Sequence, residues 1–254
     1  MALIIQDVHG VFVDVPFLEA VLGFAKTLPL THLILNGDGV DFPMISKFTP
    51  HVSGNPRLAE LQYEVDCTRD LILKPIRQAL PNVDIVYILG NHEERLQKYL
   101  NGNAKPLASL RCLNFPELMG LPLLNIAYKD RFEVGGAFDG FIYHGKRYGK
   151  TASKLEVEHH KCNLICGHIH RDGFYQTTGY HRNVACWHFG HFADKDAVDL
   201  TCGFSEYQYW SQSAGILKNS KDAFSVERIY RQKGGFYYHD RFFPVKKNRS
   251  GRVP

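Results

Sequence analysis

No run of apolar residues in this 254-residue chain is long enough to cross a membrane. Its first residues, Met1 to Gln6, lack the basic start and long apolar core of a signal peptide. Both absences set the expectation of a cytoplasmic protein with no membrane partner. The six cysteines show no framework spacing, so reduced, mostly buried thiols are expected. Cys162 and Cys166 are the pair that a zinc site would use, and buried thiols remain the plainer reading. Net charge is only +4, too mild to announce a nucleic-acid binder. Internal repeats and low-complexity segments are also missing. Nothing in the sequence speaks to oligomeric state.

Histidine is the residue in excess, with thirteen copies. Length and composition, 44% hydrophobic and 22% charged, suit one α/β domain with a full core. That domain is expected over residues 1–240. Residues 241–254 carry Arg241, Lys246, Lys247, Arg249 and Arg252 and no acid. They read as a solvated basic tail, with an arm tracking a phosphate backbone as the alternative.

In order, the chain reads as a buried strand from Ala2 to Gln6, a helix opened by Pro16, and a buried strand at Leu33 to Leu35. Strand, helix, strand implies a right-handed parallel unit, which sends the loops after both strands to the same sheet edge. Phe42 to Pro56 reads as a loop near that edge. A helix over Leu58 to Leu80, kinked at Pro75, precedes a third strand over Val83 to Leu89. A helix follows from Glu94 to Leu100, and a loop-rich stretch runs from Asn101 to Leu124. Strands are expected at Asn125 to Tyr128, Arg131 to Val134 and Phe138 to Tyr143, with turns at Asp130 and Gly135-Gly136. A helix near Ser153 to His160 leads to Leu164-Ile165-Cys166, another buried strand end. Extended alternation beyond it would put His168 and His170 on one side. Later strand-like pieces lie around Asn183 to His188, Ser213 to Leu217 and Phe224 to Tyr230.

Strand ends collect the chemistry: Asp7 and His9, Asp38 and Asp41, Asn91 and His92, His144, and His168 with His170. Oxygen and imidazole donors without thiolate suit borderline divalent ions, namely manganese, iron, zinc, cobalt or nickel. The set is too large for one ion. It suits two ions sharing a carboxylate, with residues left for acid–base work.

The ordered blocks Asp7-Val8-His9, Gly37 to Asp41, Gly90 to Glu93, His144-Gly145 and Gly167 to His170 resemble those of the calcineurin-like metallophosphoesterase superfamily. Ser46 and the Gly90 to Leu96 stretch are similar to small phage and bacterial phosphoesterases. The resemblance implies two packed mixed β-sheets flanked by helices, an α/β/β/α sandwich. It implies one ion on Asp7, His9, Asp38 and His170, and a second on Asp38, Asn91, His144 and His168. His92 would be the general acid, oriented by Asp41, and hydroxide between the metals would attack the phosphorus. Manganese is the first expectation for both ions. The substrate would be a phosphate ester: a small diester, a nucleotide or a nucleic acid, with diesters preferred over monoesters, and the Phe42 to Pro56 loop and the Asn101 to Leu124 segment are expected to shape its pocket.

Two departures bear on branch and role. Phe42-Pro43 stands where protein phosphatases of the superfamily carry Arg-Gly, and a Gly-His-x-His block that they lack is present. A protein phosphatase and a non-catalytic scaffold remain the rival readings. Arg95 and Arg171 are candidates for the phosphate-facing cation. His159 or His160 competes with His144, which a strand end delivers more directly. His188 and His191 read as strand or loop histidines, with a third metal as the alternative. The aromatics around Tyr207, Tyr209 and Trp210 read as core or sheet surface, with base stacking as the alternative.

Overall fold

Apolar alternation along the first strands settles where each face goes. The computed structural model describes residues 1–46, 60–178, 183–194 and 210–246. The first sheet contains β1 (Ala2–Ile5), β2 (His32–Asn36), β3 (Asp84–Ile88) and β4 (Ile126–Lys129), mutually parallel. The second contains β5 (Phe132–Val134), β6 (Gly140–Ile142), β7 (Asn163–Cys166), β8 (Gly173–Gln176) and β9 (Ala185–His188), in the order β5-β6-β7-β9-β8. The antiparallel strands β10 (Ser213–Asn219) and β11 (Phe224–Tyr230) return to the first sheet, completing the order β11-β10-β1-β2-β3-β4. Both sheets are therefore mixed, as expected.

Ala2, Ile4, Ile34, Val86 and Ile88 pack against Ile142, Ile165 and Phe189, forming the core between the sheets. The alternate residues Leu3, Ile5, Leu33, Leu35, Ile85 and Tyr87 face the outer helices. These include α1 (Val15–Ala25), α2 (Leu61–Thr68), α3 (Lys74–Ala79), α4 (Glu93–Asn103) and α5 (Phe115–Leu118). Phe141, Tyr143, Leu164, Cys166 and Cys186 face outward from the second sheet, together with Val157 of α6 (Ala152–His160). The result is helices, sheet, sheet, helix. The Asp14 carboxylate caps α1 by accepting from Phe17 N at 3.0 Å, and Pro16 fits its first turn.

Several boundaries differ from the sequence reading. The long helix is divided by a π turn over Arg69–Leu73, where Lys74 N–H reaches back to Arg69 O. Pro75 follows directly, and its missing N–H makes this the place where the ladder slips. At Asp130 the chain does not fold back into a hairpin: β4 stays beside β3 and β5 opens the other sheet. Of the expected basic tail, Arg241–Pro244 is strand β13, paired antiparallel with β12 (Gly235–Tyr238). Phe236 and Phe243 stack at 5.3 Å and pack onto α1 at Phe24, so aromatic burial overrides the local charge. Residues 247–254 lie outside the described residues. No helix among the described residues is long and apolar enough to cross a membrane.

Candidate metal centre

The loops leaving β1, β2 and β3 meet those leaving β6 and β7 at one end of the sandwich. Backbone bonds continue past the strands: Asp7 N to Gly37 O at 3.1 Å, His9 N to Asp38 O at 2.9 Å, and Gly167 N to His144 O at 2.9 Å. Nine candidate residues are thereby brought together. Asp7, His9, Asp38 and His170 form one donor cluster; Asp38, His144 and His168 form another; His9, Asp41 and His92 form a third. Asp38 belongs to the first two. Asn91 Oδ1 lies 3.2 Å from His144 Nε2, which adds it to the second.

His168 and His170 do converge on this site, but not by strand alternation. The strand ends at Cys166, and both histidines have left-handed φ, 72° and 55°. Asp7 (50°), His9 (55°) and Asp38 (49°) do likewise. Each such non-glycine residue costs about 1–3 kcal/mol, and strain of this kind persists where the surroundings over-determine it. The loops also touch backbone to side chain. A Cβ on Gly90 would lie 2.3 Å from Asp38 Oδ1, and one on Gly167 would lie 2.6 Å from Asp7 Oδ2.

The electrostatics call for a cation. Asp7 and Asp38 are buried, and among the described residues no lysine or arginine pairs with either. His144 Nε2 sits 3.0 Å from Asp38 Oδ2. Burial pulls the His144 pKa down, but Asp38 and Asp7 outweigh it and raise it to about 10. A proton on this ring thus does what a metal ion would do. Burial, followed by the His144 charge, pushes His168 down to about 4. Both His168 ring nitrogens are buried without a hydrogen-bond partner among the described residues. The His9 and His170 Nε2 atoms face each other at 2.9 Å. Imidazole nitrogens converging with buried carboxylates on one point fit a divalent ion. The outer nitrogens are also held, with His9 Nδ1 3.1 Å from Asp41 Oδ1 and His144 Nδ1 2.8 Å from Asn36 O, so each ring presents Nε2 to its cluster.

Beside the clusters, His92 Nδ1 is 2.9 Å from Asp41 Oδ1. Burial lowers the pKa of His92, yet Asp38 and Asp41 prevail and raise it above the ordinary histidine value. Its Nε2 accepts from Arg95 Nη2 at 2.7 Å and lies 3.6 Å from Asp38 Oδ2. Arg95 Nη1 also donates to Asp41 O at 2.6 Å. Arg171 is half-buried on the loop after His170 and forms no ion pair with a described residue.

Two glutamates that the sequence reading left without a role organise these loops. Glu93 accepts from the backbone N–H groups of Asp38 (3.0 Å), Gly39 (2.8 Å) and Gly90 (2.7 Å) and from Tyr87 Oη (2.7 Å). Glu64 accepts from the N–H groups of Asp41 and Phe42. Burial and the neighbouring Asp41 charge push Glu64 up to about 8. Its signal was a charge on the inward stripe of a helix, next to Val65 and one turn before Thr68.

Other candidates fall elsewhere. His160 Nε2 meets Tyr143 Oη at 3.1 Å on the outer side of the second sheet, which leaves His144 as the site histidine. Cys166 is approached by Cys186, Sγ to Sγ 3.7 Å, and His188 joins them; Cys162 is not in that group. His191 packs on Trp210 at 5.2 Å, and Trp210 packs on His170 at 4.2 Å. Tyr207 and Tyr209 lie outside the described residues. A cavity of about 760 Å³ opens beside Asn91, His144 and His168. Its walls come from residues 89–94, 130–131, 141–148 and 156–160, not from the expected Asn101 to Leu124 stretch. Of the other expected wall, Phe42 to Pro56, residues 47–56 lie outside the described residues.

Comparison with known proteins adds little to the geometry. No family model and no curated protein matches the chain. Among solved structures, the Pseudomonas putida nuclease MPE is similar at 18% identity, over 76% of this chain and 75% of that one, with a TM-score of 0.37.

Proposed function

We propose that this chain is a dinuclear-metal phosphoesterase acting on phosphodiesters. The observation that carries the reading is the pair of buried donor clusters sharing Asp38, with the His92–Asp41 pair alongside. Asp7, His9, Asp38 and His170 would hold one divalent ion, and Asp38, Asn91, His144 and His168 the other, manganese being the first candidate. When bound, two such ions supply Lewis-acid charge to a phosphoryl oxygen and lower the pKa of water.

The remaining chemistry belongs to the chain. An ester oxygen leaves badly as an alkoxide, so a proton should reach it from His92 Nε2. Asp41 accepts from Nδ1 of that ring, which fixes the tautomer and favours the imidazolium. A protonated Nε2 has no lone pair for Arg95. The guanidinium must therefore turn away as His92 takes its proton, and a non-bridging phosphate oxygen is the partner that suits its fork. Phe42-Pro43 in place of Arg-Gly speaks against a phosphoprotein substrate.

The test is turnover of bis(p-nitrophenyl) phosphate and p-nitrophenyl phosphate by protein stripped of metal and reloaded with manganese. Turnover of the diester that returns with metal, and that is absent in Asp38→Asn, supports the reading. A loaded protein that turns over neither ester would sink it.

A further inference from the structure

The cavity beside the second cluster has an unusual far wall. Gly145 to Tyr148 follow the candidate ligand His144, and Glu156 of α6 clamps their backbone from below. Glu156 Oε1 accepts from Lys146 N at 2.8 Å and from Arg147 N at 2.9 Å, while its other oxygen accepts from Tyr143 Oη. The loop is thus fixed, yet all three side chains at its tip are exposed. Neither Lys146 nor Arg147 forms an ion pair with a described residue. The acids on the same lining include Glu94, which pairs with Lys98, Glu156, which is occupied by the loop, and Asp130.

Tyr148 stands out by position. Single exposed aromatics are ordinary. This ring lies 4.4 Å from the ring of His168, a residue assigned to the metal centre, and is 71% exposed. The ring meets His168 at an interplanar angle of 57°, and most of its surface stays exposed on the cavity wall. At about 760 Å³ the cavity exceeds what a single phosphate group needs and falls in the range of small-molecule sites. A planar apolar surface beside the reacting position, followed by two uncompensated cations on a rigid loop, matches a ligand that alternates flat rings with phosphates.

We infer that the Lys146–Arg147–Tyr148 loop is the substrate-recognition element of this site and that its ligand is a single-stranded oligonucleotide. The base next to the scissile diester stacks on the exposed ring of Tyr148, and the following phosphate lies on Lys146 and Arg147. This inference rests on the phosphoesterase reading above.

Two esters with the same leaving group isolate the base: thymidine 5′-(p-nitrophenyl phosphate) and methyl p-nitrophenyl phosphate. Stacking is worth about 5- to 150-fold in affinity. Tyr148→Ala should therefore raise the KM of the thymidine ester by about that factor more than that of the methyl ester. Tyr148→Trp should restore the ratio, which a merely structural tyrosine would not allow. Lys146→Gln and Arg147→Gln should each weaken oligothymidylate binding and flatten its salt dependence by about 0.7 per lost phosphate contact. An unchanged KM ratio in Tyr148→Ala, with esters still turned over, overturns the inference and leaves the phosphoesterase standing. Fluorescence titration with oligothymidylate separates the opposite case. Tight binding that is lost in Tyr148→Ala, without turnover of any ester, would keep the loop and remove the enzyme. Absence of oligothymidylate binding to the wild type overturns the inference outright.

Discussion

Glu93→Gln offers a quantitative test of how the loops are held. The carboxylate serves five donors: Oε2 takes Asp38 N and Gly90 N, and Oε1 takes Gly39 N, Tyr87 Oη and, at a longer 3.4 Å, Val40 N. Glutamine offers one oxygen and one NH2. With NH2 in place of Oε2, two backbone amides face a donor. With NH2 in place of Oε1, the Tyr87 hydroxyl can rotate to accept, and the Gly39 N–H is orphaned together with the already weakly bonded Val40 N–H. The second arrangement is the cheaper. One buried orphan costs about 1–3 kcal/mol, and the bonds that remain lose their charge assistance. The expected loss is about 2–4 kcal/mol, a large share of the roughly 5–15 kcal/mol that holds a domain together. Glu93→Ala would orphan four amides and is expected not to fold. Denaturant unfolding of metal-free protein measures the loss, and metal titration measures its effect on the Asp38 loop. Metal should bind more weakly in Glu93→Gln although no ligand is changed. A variant within about 0.5 kcal/mol of wild type, with unaltered metal affinity, would refute the claim that Glu93 fixes these loops.

Other expectations follow from the same geometry. His92→Ala should lose about 10² to 10⁴ in kcat while keeping its metals, with a smaller loss for nitrophenyl than for alkyl leaving groups. Equal losses on both would remove the general-acid role. Because the neighbouring carboxylates raise His92, activity should fall as pH rises through that raised value. Asp41→Asn removes one of those charges and should move the alkaline limb of kcat to lower pH; a limb that stays put would detach Asp41 from His92. In metal-free protein, burial holds His168 near pKa 4, below its unfolded value of about 6.5. The native state then binds fewer protons between those values, so stability should drop as pH falls from about 6.5 to 4. His168→Asn should show a shallower drop, as read by urea midpoints across that range.

Much of the site could be read from the chain because each ligand block lies directly after a buried strand, where apolar alternation and glycine mark the end. The two-ion ligand set came from the family resemblance, and the structure brings its members together. Extended geometry failed beyond Cys166, since left-handed turns at His168 and His170 leave no trace in an apolar pattern. The partner of Cys166 was missed because Cys186 lies on a strand that only the sheet order brings alongside. Glu64 and Glu93 were overlooked because their work is to accept backbone N–H bonds from loops far away in sequence. The strand at Arg241–Pro244 was hidden under its neighbouring charges, although Phe242 and Phe243 were there to be buried.

The central claim is a pair of ions bridged by Asp38. A crystal structure of manganese-loaded protein, with anomalous difference maps and elemental analysis of the same sample, tests it directly. The account predicts two manganese peaks per chain, with an Asp38 oxygen on both, His9 and His170 on one side and His144 and His168 on the other. One fully occupied ion, with His144 and His168 free of metal, would contradict it.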